Sequence, residues 1–251
     1  AKRKADNPSA VAVETLHEAL YDRHRIRRWR IGREEGLRKL TRDDVVGFYR
    51  NFYRPANTVL PIVGDVDAAV VFAEVEKRYG ALTAGEPARS PGPDERGDPG
   101  FRYRELSGDI AQTQIVLGWR TPGTLHADTA PLDLLATVIG TGRASRLYRA
   151  TRERKLVSSV TAYNYTRRDM GVFAIHAEAP PENALAAVDA IWDQLRRVRD
   201  EGIGTFELER ARRISESRWI RRLEDMEGQA NHLAEWEAMG SWELGERYFE
   251  R

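Results

Sequence analysis

The spacing of apolar residues along the chain predicts a mixture of helices and strands. Apolar residues three or four positions apart are typical of amphipathic helices, whereas short β-branched or alternating runs are typical of strands. On this basis we predict helices at residues 9–22, 40–53, 67–80, 127–141 and 181–202, with one or two more within 205–240. We predict strands at residues 57–66, 101–107, 111–120, 156–165 and 171–179. This order favours an α+β fold over alternating βαβ units.

Local signals mark the ends of two predicted helices. The side-chain oxygen of Thr41 can cap the helix that follows it, and Asp43 and Asp44 place negative charge in its positively polarised first turn. Pro55 stops this helix because proline lacks a backbone N–H. Gly80 follows the last apolar residue of the next helix and predicts its end.

Residues 81–100 differ in composition from the rest of the chain. They contain four Pro and four Gly and almost no large apolar side chain, so they cannot contribute to a core. We interpret them as a linker. The predicted organisation is a first domain at residues 1–80, a linker at 81–100 and a second domain at 101–251.

The overall charge argues against a polyanionic partner. The 40 Lys and Arg nearly balance the 39 Asp and Glu of this 251-residue chain, so it has no strong field to attract nucleic acid or an anionic membrane. Basic residues are concentrated in "RHRIRRWRIGR" (Arg23–Arg33), which we interpret as a solvated face that pairs with nearby acids. No nucleic-acid partner is predicted.

Other compositional features limit the possible chemistry. The absence of cysteine excludes disulfides and thiol-based metal sites or nucleophiles. No apolar run approaches the roughly 20 residues that span a bilayer, so we predict no membrane span. The chain begins at "AKRKADNPSA" without an initiator Met, and it ends without a terminating signal. We therefore expect a fragment or a processed product, truncated at its C-terminal end.

A Gly-Thr-Gly at residues 140–142 invites comparison with phosphate-binding loops. A P-loop requires Lys-Ser/Thr after its second glycine, and a dinucleotide fingerprint requires a third glycine after a strand; neither is present. The following arginines recur every three residues and would form a basic ridge on a helix: Arg143, Arg146, Arg149 and Arg152. A ridge of this kind is typical of a solvated face, or of a surface near a carboxylate or peptide carbonyls.

Histidine motifs for zinc are incomplete in this chain. His17-Glu18 begins an H-E-x-x-H motif, but Tyr21 occupies the second histidine position. The inverted motif H-x-x-E-H is missed in "HLAEW", where His232 and Glu235 are followed by Trp236. Indole does not ligate metals, so we predict no metal site and no catalytic residue in this chain.

Two long segments resemble a known family. "LTRDDVVGFYRNFYRPANTVLPIVGDVD" (Leu40–Asp67) and the preceding "WRIGREEGLRKLT" resemble the end of the first domain of the pitrilysin/insulinase family of inverted-motif zinc metallopeptidases. "GTGRASRLYRATRERKLVSSV" (Gly140–Val160) resembles a second-domain element of the same family. The resemblance extends over nearly the whole chain.

The resemblance implies a fold, a cofactor and partners. In this family, antiparallel-rich sheets pack against helices, and two or four such domains enclose a chamber for peptides. The zinc helix of the parent enzyme is expected before residue 1, so this chain is expected to bind no zinc and to be inactive alone. The implied partners are a peptide or unfolded protein substrate and an upstream zinc-bearing half-domain or partner subunit, with a dimer as a further possibility.

The resemblance also points to substrate-binding residues. Second domains of active members carry an Arg and, about seven residues later, a Tyr, which bind the substrate backbone and help to stabilise the transition state. Arg152 matches the Arg, whereas Ser158 lies at the expected Tyr position, and its hydroxyl is too short to replace a phenol. Tyr163, or Tyr165 further along, is a possible substitute.

Two functions follow from the resemblance. The first is a region of a zinc metallopeptidase that encloses and holds a peptide substrate. The alternative is a naturally non-catalytic partner or regulatory subunit of the same fold, for which the missing Tyr and zinc motif argue. Related bacterial proteins are expected in either the cytoplasm or the periplasm and cell envelope, so the sequence leaves the compartment open.

Overall fold

The computed structural model describes residues 6–86, 92–93, 95, 97 and 100–250. The chain divides into two compact units, the first formed by residues 1–33 and 92–216 and the second by residues 34–91 and 217–251. The predicted domain boundaries stay a prediction, and residues 87–91, 94, 96 and 98–99 of the predicted linker lie outside the described part of the chain.

The sheet of the first unit has three antiparallel strands. They are β1 (Thr113–Pro122), β2 (Ser159–Thr166) and β3 (Met170–Ala179). The strand order is β1-β3-β2, and the register pairs Tyr163 with Ala174 and Val116 with His176. The predicted strands at 111–120, 156–165 and 171–179 are therefore confirmed, as is the α+β class.

Helices make up most of the remaining structure. They are α1 (Pro8–Leu20), α2 (Glu34–Lys39), α3 (Arg42–Phe52), α4 (Ala68–Tyr79), α5 (Thr129–Gly140), α6 (Ala184–Glu201), α7 (Thr205–Arg222), α8 (Met226–Met239) and α9 (Leu244–Phe249). All the helices predicted from periodicity are present, with ends that differ by a few residues. Across the described ranges, no helix combines the length and the apolar character needed to cross a membrane.

The main core of the first unit lies on one face of the sheet. Side chains of β3 that point to this face pack against residues of α5, α6 and the segment before β2: Phe173, Ile175, Ala177, Val138, Ile139, Leu147, Val157 and Ile191. The opposite face carries a smaller cluster in which Tyr21 packs against Val172 and Ala174. β3 thus contributes apolar side chains to the clusters on both faces of the sheet, because successive side chains of a strand point to opposite sides.

Local signals shape the helices of the second unit. Thr41 caps α3 as predicted: its Oγ1 accepts from the backbone N–H of Asp44 at 3.2 Å, and Asp44 Oδ2 accepts from the backbone N–H of Thr41 at 2.9 Å. This reciprocal pair is a capping box. It satisfies N–H groups that the first turn of a helix leaves without partners.

Two predicted strands are not formed. Residues 58–66 and 101–107 contain no strand, so these two predictions were wrong. Both segments have apolar residues that favour extended structure, including Val59, Ile62 and Phe101. A strand is maintained by hydrogen bonds to a neighbouring strand, and the described residues supply no such ladder to either segment.

Candidate functional site

Packing and turn geometry account for the two glycines of the Gly-Thr-Gly. Gly140 ends α5 against β2, and a Cβ added there would lie 2.3 Å from the backbone nitrogen of Ala162. Gly142 has φ of +77°, a conformation that glycine adopts without steric cost. The structure thus gives both glycines a role in packing and turning the chain.

The basic ridge is interrupted in the structure. Arg143 precedes the helical segment, and Tyr148–Arg152 forms a π-helical turn in which the N–H of Glu153 bonds to the carbonyl of Tyr148. The prediction of one regular helix was therefore wrong here, because the widened turn changes which side chains align. Arg149 and Arg152 are exposed.

Arg146 has a structural role at this place. Its guanidinium donates to both carboxylate oxygens of Glu207, at 2.8 and 2.6 Å, and to the carbonyl of Gly202 at 2.9 Å. The hydrogen bond from Arg146 is the main reason why the pKa of Glu207 falls to about 2. This bidentate pair ties the segment before β2 to the start of α7.

The structure separates the predicted substrate-binding residues. Arg152 is exposed at the end of the π-helical turn. Ser158 lies just before β2, with its Oγ 2.8 Å from Gln112 Oε1, whereas Tyr163 lies five positions further on. Because a strand rises about 3.3 Å per residue, Ser158 and Tyr163 are roughly 16 Å apart. Burial raises the pKa of the half-buried Tyr163. The substrate-binding roles of all three residues stay predictions.

The turn between Arg152 and β2 contains a strained residue. Lys155 has φ of 58° and is the non-glycine residue with positive φ in the described part of the chain. A side chain in this left-handed conformation costs on the order of 1 kcal/mol. The turn that positions β2 after the basic segment is therefore maintained by its surroundings rather than by local preference.

The segment that follows α1 is fixed to the first unit by polar contacts. The carboxylate of Glu95 accepts from the backbone N–H groups of Asp22, Arg23 and His24, at 2.5, 2.7 and 2.7 Å, and it pairs with Arg120 at 3.1 Å. Burial alone would raise the pKa of Glu95, but these donors together lower it. Glu95 lies in the predicted linker, so this part of the linker contributes to the unit.

Tyr21, which directly follows α1, contacts the sheet of the first unit. Its hydroxyl donates to the carbonyl of Gly171 at 2.5 Å, and its ring lies 5.1 Å from the guanidinium carbon of Arg120. Burial raises the pKa of Tyr21 to about 12. The aromatic ring and the hydroxyl together anchor the end of α1 to β3.

Sequence analysis missed a cationic cluster around Tyr165 on β2. The guanidinium carbons of Arg30 and Arg167 lie 5.3 and 5.1 Å from the centre of its ring, and His17 meets the ring edge-on at 6.3 Å. We call Tyr165, Arg30 and Arg167 the arginine–tyrosine site. A signal was present in the basic run at 23–33, but the contact of Arg30 with β2 forms only in the folded chain.

The described histidines do not fit a zinc site. No group of three or more His, Asp or Glu residues that could hold a metal occurs in the described part of the chain. Both ring nitrogens of His24 are engaged, Nε2 with Asp169 at 2.9 Å and Nδ1 with the N–H of Ile26 at 3.2 Å. Glu235 is paired with Arg222. The described residues therefore do not fit a zinc site.

His232 is part of an aromatic cluster in the second unit. Its ring lies edge-on to Trp219, with centres 4.8 Å apart, and 6.3 Å from the ring of Trp236. Burial is the main cause that lowers the pKa of His232, which favours the neutral imidazole. The incomplete inverted motif thus has a packing role.

Comparison with known proteins agrees with this fold. A protease from Helicobacter pylori has a similar structure, with a TM-score of 0.92 at 23% identity over 99% of this chain and 62% of its own. The peptidase M16 inactive domain from Pseudomonas fluorescens gives a TM-score of 0.85 at 20% identity, over 99% of this chain and 60% of its own. At this level of identity the likeness concerns the fold alone.

Sequence relatives give the family. An uncharacterized zinc protease of Rickettsia bellii is 27% identical over 82% of this chain and 50% of its own length. One of Mycobacterium tuberculosis is 28% identical over 91% of this chain and 53% of its own. The chain thus spans about half the length of these curated relatives. A family model described as the peptidase M16 inactive domain matches residues 39–215. The chain therefore belongs to the family of peptidase M16 inactive domains.

Proposed function

We propose that this chain holds an extended peptide for a zinc-dependent metallopeptidase. Its relatives are named zinc proteases, and its own family is described as the inactive domain of M16 peptidases. The described histidines and carboxylates do not fit zinc. In this proposal, the zinc ion and its water-activating glutamate therefore come from another part of the parent protein or from a partner subunit.

The observation that carries the proposal is the position of β2 at the edge of the sheet. β2 pairs with β3 on one side, and no strand of the described residues pairs with it on the other. An edge strand presents backbone N–H and C=O groups to which an extended peptide can add as a further strand. Such addition recognises the peptide backbone and is compatible with many sequences.

Two of the predicted substrate-binding residues lie next to or within β2, where they could contact a bound peptide. Arg152 lies ahead of β2 with an exposed guanidinium, and none of the ion pairs among described residues involves it. In the proposal it binds a carbonyl of the peptide backbone. Tyr163 presents a half-buried ring on one face of β2, against which a peptide side chain can pack.

The second unit has an exposed apolar surface, and the proposal therefore includes a companion M16 half that covers it. Large apolar side chains of α3 and α4 are exposed there, including Val45, Phe48, Val70 and Phe72. Exposed large apolar side chains, which we call the apolar patch, are typical of a surface that another protein segment covers. In the proposal, the companion half supplies zinc and also covers this patch; a second copy of the chain is the competing occupant.

Hydrogen exchange with a bound peptide tests the proposal. The chain is mixed with an excess of a short unstructured peptide of uncharged sequence, and exchange of its backbone amides is followed by mass spectrometry. We expect slower exchange at residues 159–166, because new backbone hydrogen bonds would protect amides of β2. A proline-rich peptide of equal length is the matched control, since proline lacks the N–H needed for a ladder.

Two results would contradict the proposal. One is the absence of binding by the uncharged peptide even at its highest soluble concentration. The other is protection that is confined to a helix face while β2 exchanges as before. Either result would show that this chain does not hold a peptide through β2.

The alternative role, a non-catalytic partner subunit, is favoured by one observation. Ser158 occupies the expected Tyr position, and its Oγ is engaged with Gln112 at 2.8 Å. Hydrolysis of a quenched fluorescent peptide by the parent protein distinguishes the roles. If the parent is the enzyme, Arg152→Ala lowers kcat/KM about tenfold or more, as removal of a transition-state contact does. If it is a partner, the unmodified parent shows neither zinc nor hydrolysis.

A further inference from the structure

Two sets of arginines in the first unit differ in what their guanidinium groups contact. One group uses its N–H donors on internal carboxylates: Arg102, Arg120 and Arg146 bind Asp22, Glu95 and Glu207. The other group, Arg30 and Arg167, contacts the ring of Tyr165 with the guanidinium and has no ion pair with any described carboxylate. The first group maintains the fold, whereas the second is without an ion pair in the described part of the chain.

Stacking on an aromatic ring leaves a guanidinium able to bind an anion. The attraction between a guanidinium and a ring uses the charge of the guanidinium and none of its N–H hydrogen bonds, so these donors stay available. Arg30 and Arg167 both lie within 5.3 Å of the centre of the Tyr165 ring. Two sets of N–H donors are therefore positioned around one ring, and both residues are exposed.

The acidic residues nearby are engaged elsewhere. Asp169, two residues after Arg167, accepts from His24 Nε2 at 2.9 Å. Glu18 on α1 pairs with Arg33. Within the described part of the chain, the charges of Arg30 and Arg167 thus have no carboxylate partner, and the arginine–tyrosine site remains positive.

The site lies on the strand that we propose to hold the peptide. Tyr165 is in β2, two residues from Tyr163, so both rings are on the same face of the sheet. When a strand adds to β2, the peptide residue directly opposite Tyr165 has its Cβ about 5 Å away on that face. Its side chain would therefore meet Arg30 and Arg167.

We propose that the arginine–tyrosine site selects peptides with an acidic residue, Asp or Glu, at the position opposite Tyr165. The inference rests on the proposed peptide-holding function and adds a substrate class to it. The carboxylate of the peptide accepts hydrogen bonds from Arg30 and Arg167, which have no carboxylate partner among the described residues. The neighbouring ring of Tyr163 accommodates an apolar or aromatic side chain two residues along the peptide.

A peptide suits this site better than nucleic acid does. Arg30 and Arg167 converge on a single ring instead of following a line that would match a phosphate backbone. The whole chain has a net charge of only +1, so it lacks the long-range field that non-specific nucleic-acid binding requires. Nucleic acid is therefore the competing outcome of the test.

Three labelled peptides that differ only at their centre test the inference. Their central pair is Glu-Glu, Gln-Gln or Lys-Lys, and binding to the chain is measured by fluorescence anisotropy at two salt concentrations. We expect the Glu-Glu peptide to bind about tenfold more tightly than the Gln-Gln peptide at low salt, since two exposed ion pairs together contribute about that factor. The preference should shrink at higher salt because exposed charges are screened.

Substitutions assign the preference to the site. Arg30→Gln with Arg167→Gln should abolish the preference while leaving affinity for the Gln-Gln peptide unchanged. Tyr165→Phe retains the ring and should retain the preference. Arg213→Gln is the matched control, because Arg213 is an exposed arginine of α7 without an ion pair among the described residues. Thermal unfolding checks that all variants remain folded.

The outcomes separate the two proposals. If the chain binds the Glu-Glu and Gln-Gln peptides equally, the inference is wrong while the peptide-holding function stands. If it binds none of the three peptides, the peptide-holding function itself is wrong. A short RNA that displaces the Glu-Glu peptide at equal concentration, and depends on Arg30 and Arg167, would overturn the assignment to a peptide.

Discussion

The two units of this chain bury their apolar residues to very different extents. In the first unit, residues such as Ile139, Leu147, Ile175 and Ile191 are at most 1% exposed. In the second, the buried residues among those described are His232, Trp236 and Gly245, while Phe48 is 57% and Phe72 is 73% exposed. Both units have helices with clear apolar stripes, yet the stripes of only one unit are covered.

This difference shows that an amphipathic pattern and a closed core are separate properties. The pattern depends on the spacing of residues within one helix, whereas a core needs a second apolar surface to pack against it. The first unit provides that surface with its sheet. In the second unit, where that surface is lacking among the described residues, local interactions such as the capping box of α3 remain. The following predictions test this contrast, from the largest expected effect to the smallest.

The largest effect should come from a truncation in the core of the first unit. Ile175→Ala removes a fully buried side chain, and we expect it to lower the free energy of unfolding by about 3–4 kcal/mol. Phe48→Ala removes a larger but exposed side chain and should cost less than about 1 kcal/mol in the isolated chain. Urea unfolding measures both changes, and equal losses would refute the contrast between the units.

A smaller effect is expected at the ion pair of Arg146 and Glu207. Because the folded state lowers the pKa of Glu207 from 4.5 to about 2, the pair stabilises the fold above pH 4.5 and the contribution is lost as the pH falls toward 2. Glu207→Gln should therefore cost about 1–2 kcal/mol near neutral pH and little at the acid end. Unfolding at several pH values checks this. A loss that is independent of pH would show that the charge is not the cause.

The hydroxyl of Tyr21 should contribute about 1 kcal/mol. Tyr21→Phe removes the hydrogen bond to Gly171 while the ring continues to pack, so only that contribution is lost. The folded state raises the pKa of Tyr21 from 10.0 to about 12, so the wild-type chain should lose more stability than the variant as the pH rises from 10 toward 12. The difference between spectrophotometric titrations of the wild type and of Tyr21→Phe isolates Tyr21 from the other tyrosines. A component near pH 10 in that difference would contradict the anchoring of α1.

The smallest effect concerns the second unit. Thr41→Ala removes the cap of α3 and should cost about 0.5–1 kcal/mol, seen as faster amide exchange in the first turn of that helix. Thr41→Ser retains the hydroxyl and serves as the control. If the alanine variant exchanges like the wild type, local capping does not support the second unit and the contrast needs another explanation.

The sequence predicted the fold class and most of its elements. Periodicity predicted all the long helices and the three paired strands, because these segments contain enough apolar residues to define one face. It also predicted strands at 57–66 and 101–107, which the structure does not form. Strand formation depends on a partner strand, which can lie far away in the sequence, so an apolar run alone is an incomplete signal.

The candidate site was less accessible to sequence reasoning. Family resemblance singled out Arg152, Ser158 and Tyr163, and the structure places these residues along and before one edge strand instead of in a single cluster. The arginine–tyrosine site was missed because Arg30 and Tyr165 are far apart in the chain. The run at 23–33 was interpreted as a face paired with acids, which holds for Arg33 and not for Arg30.

The sequence by itself determined the helices, their caps, the turn after α5 and the family, because each of these depends on residues that are neighbours in the chain or form a continuous motif. Only the tertiary structure decided which charges are neutralised. Arg146 meets Glu207, and Glu95 meets the backbone after α1, whereas Arg30 meets an aromatic ring. Charge pairing depends on distances of a few ångströms between distant parts of the chain, and those distances exist only once the chain has folded.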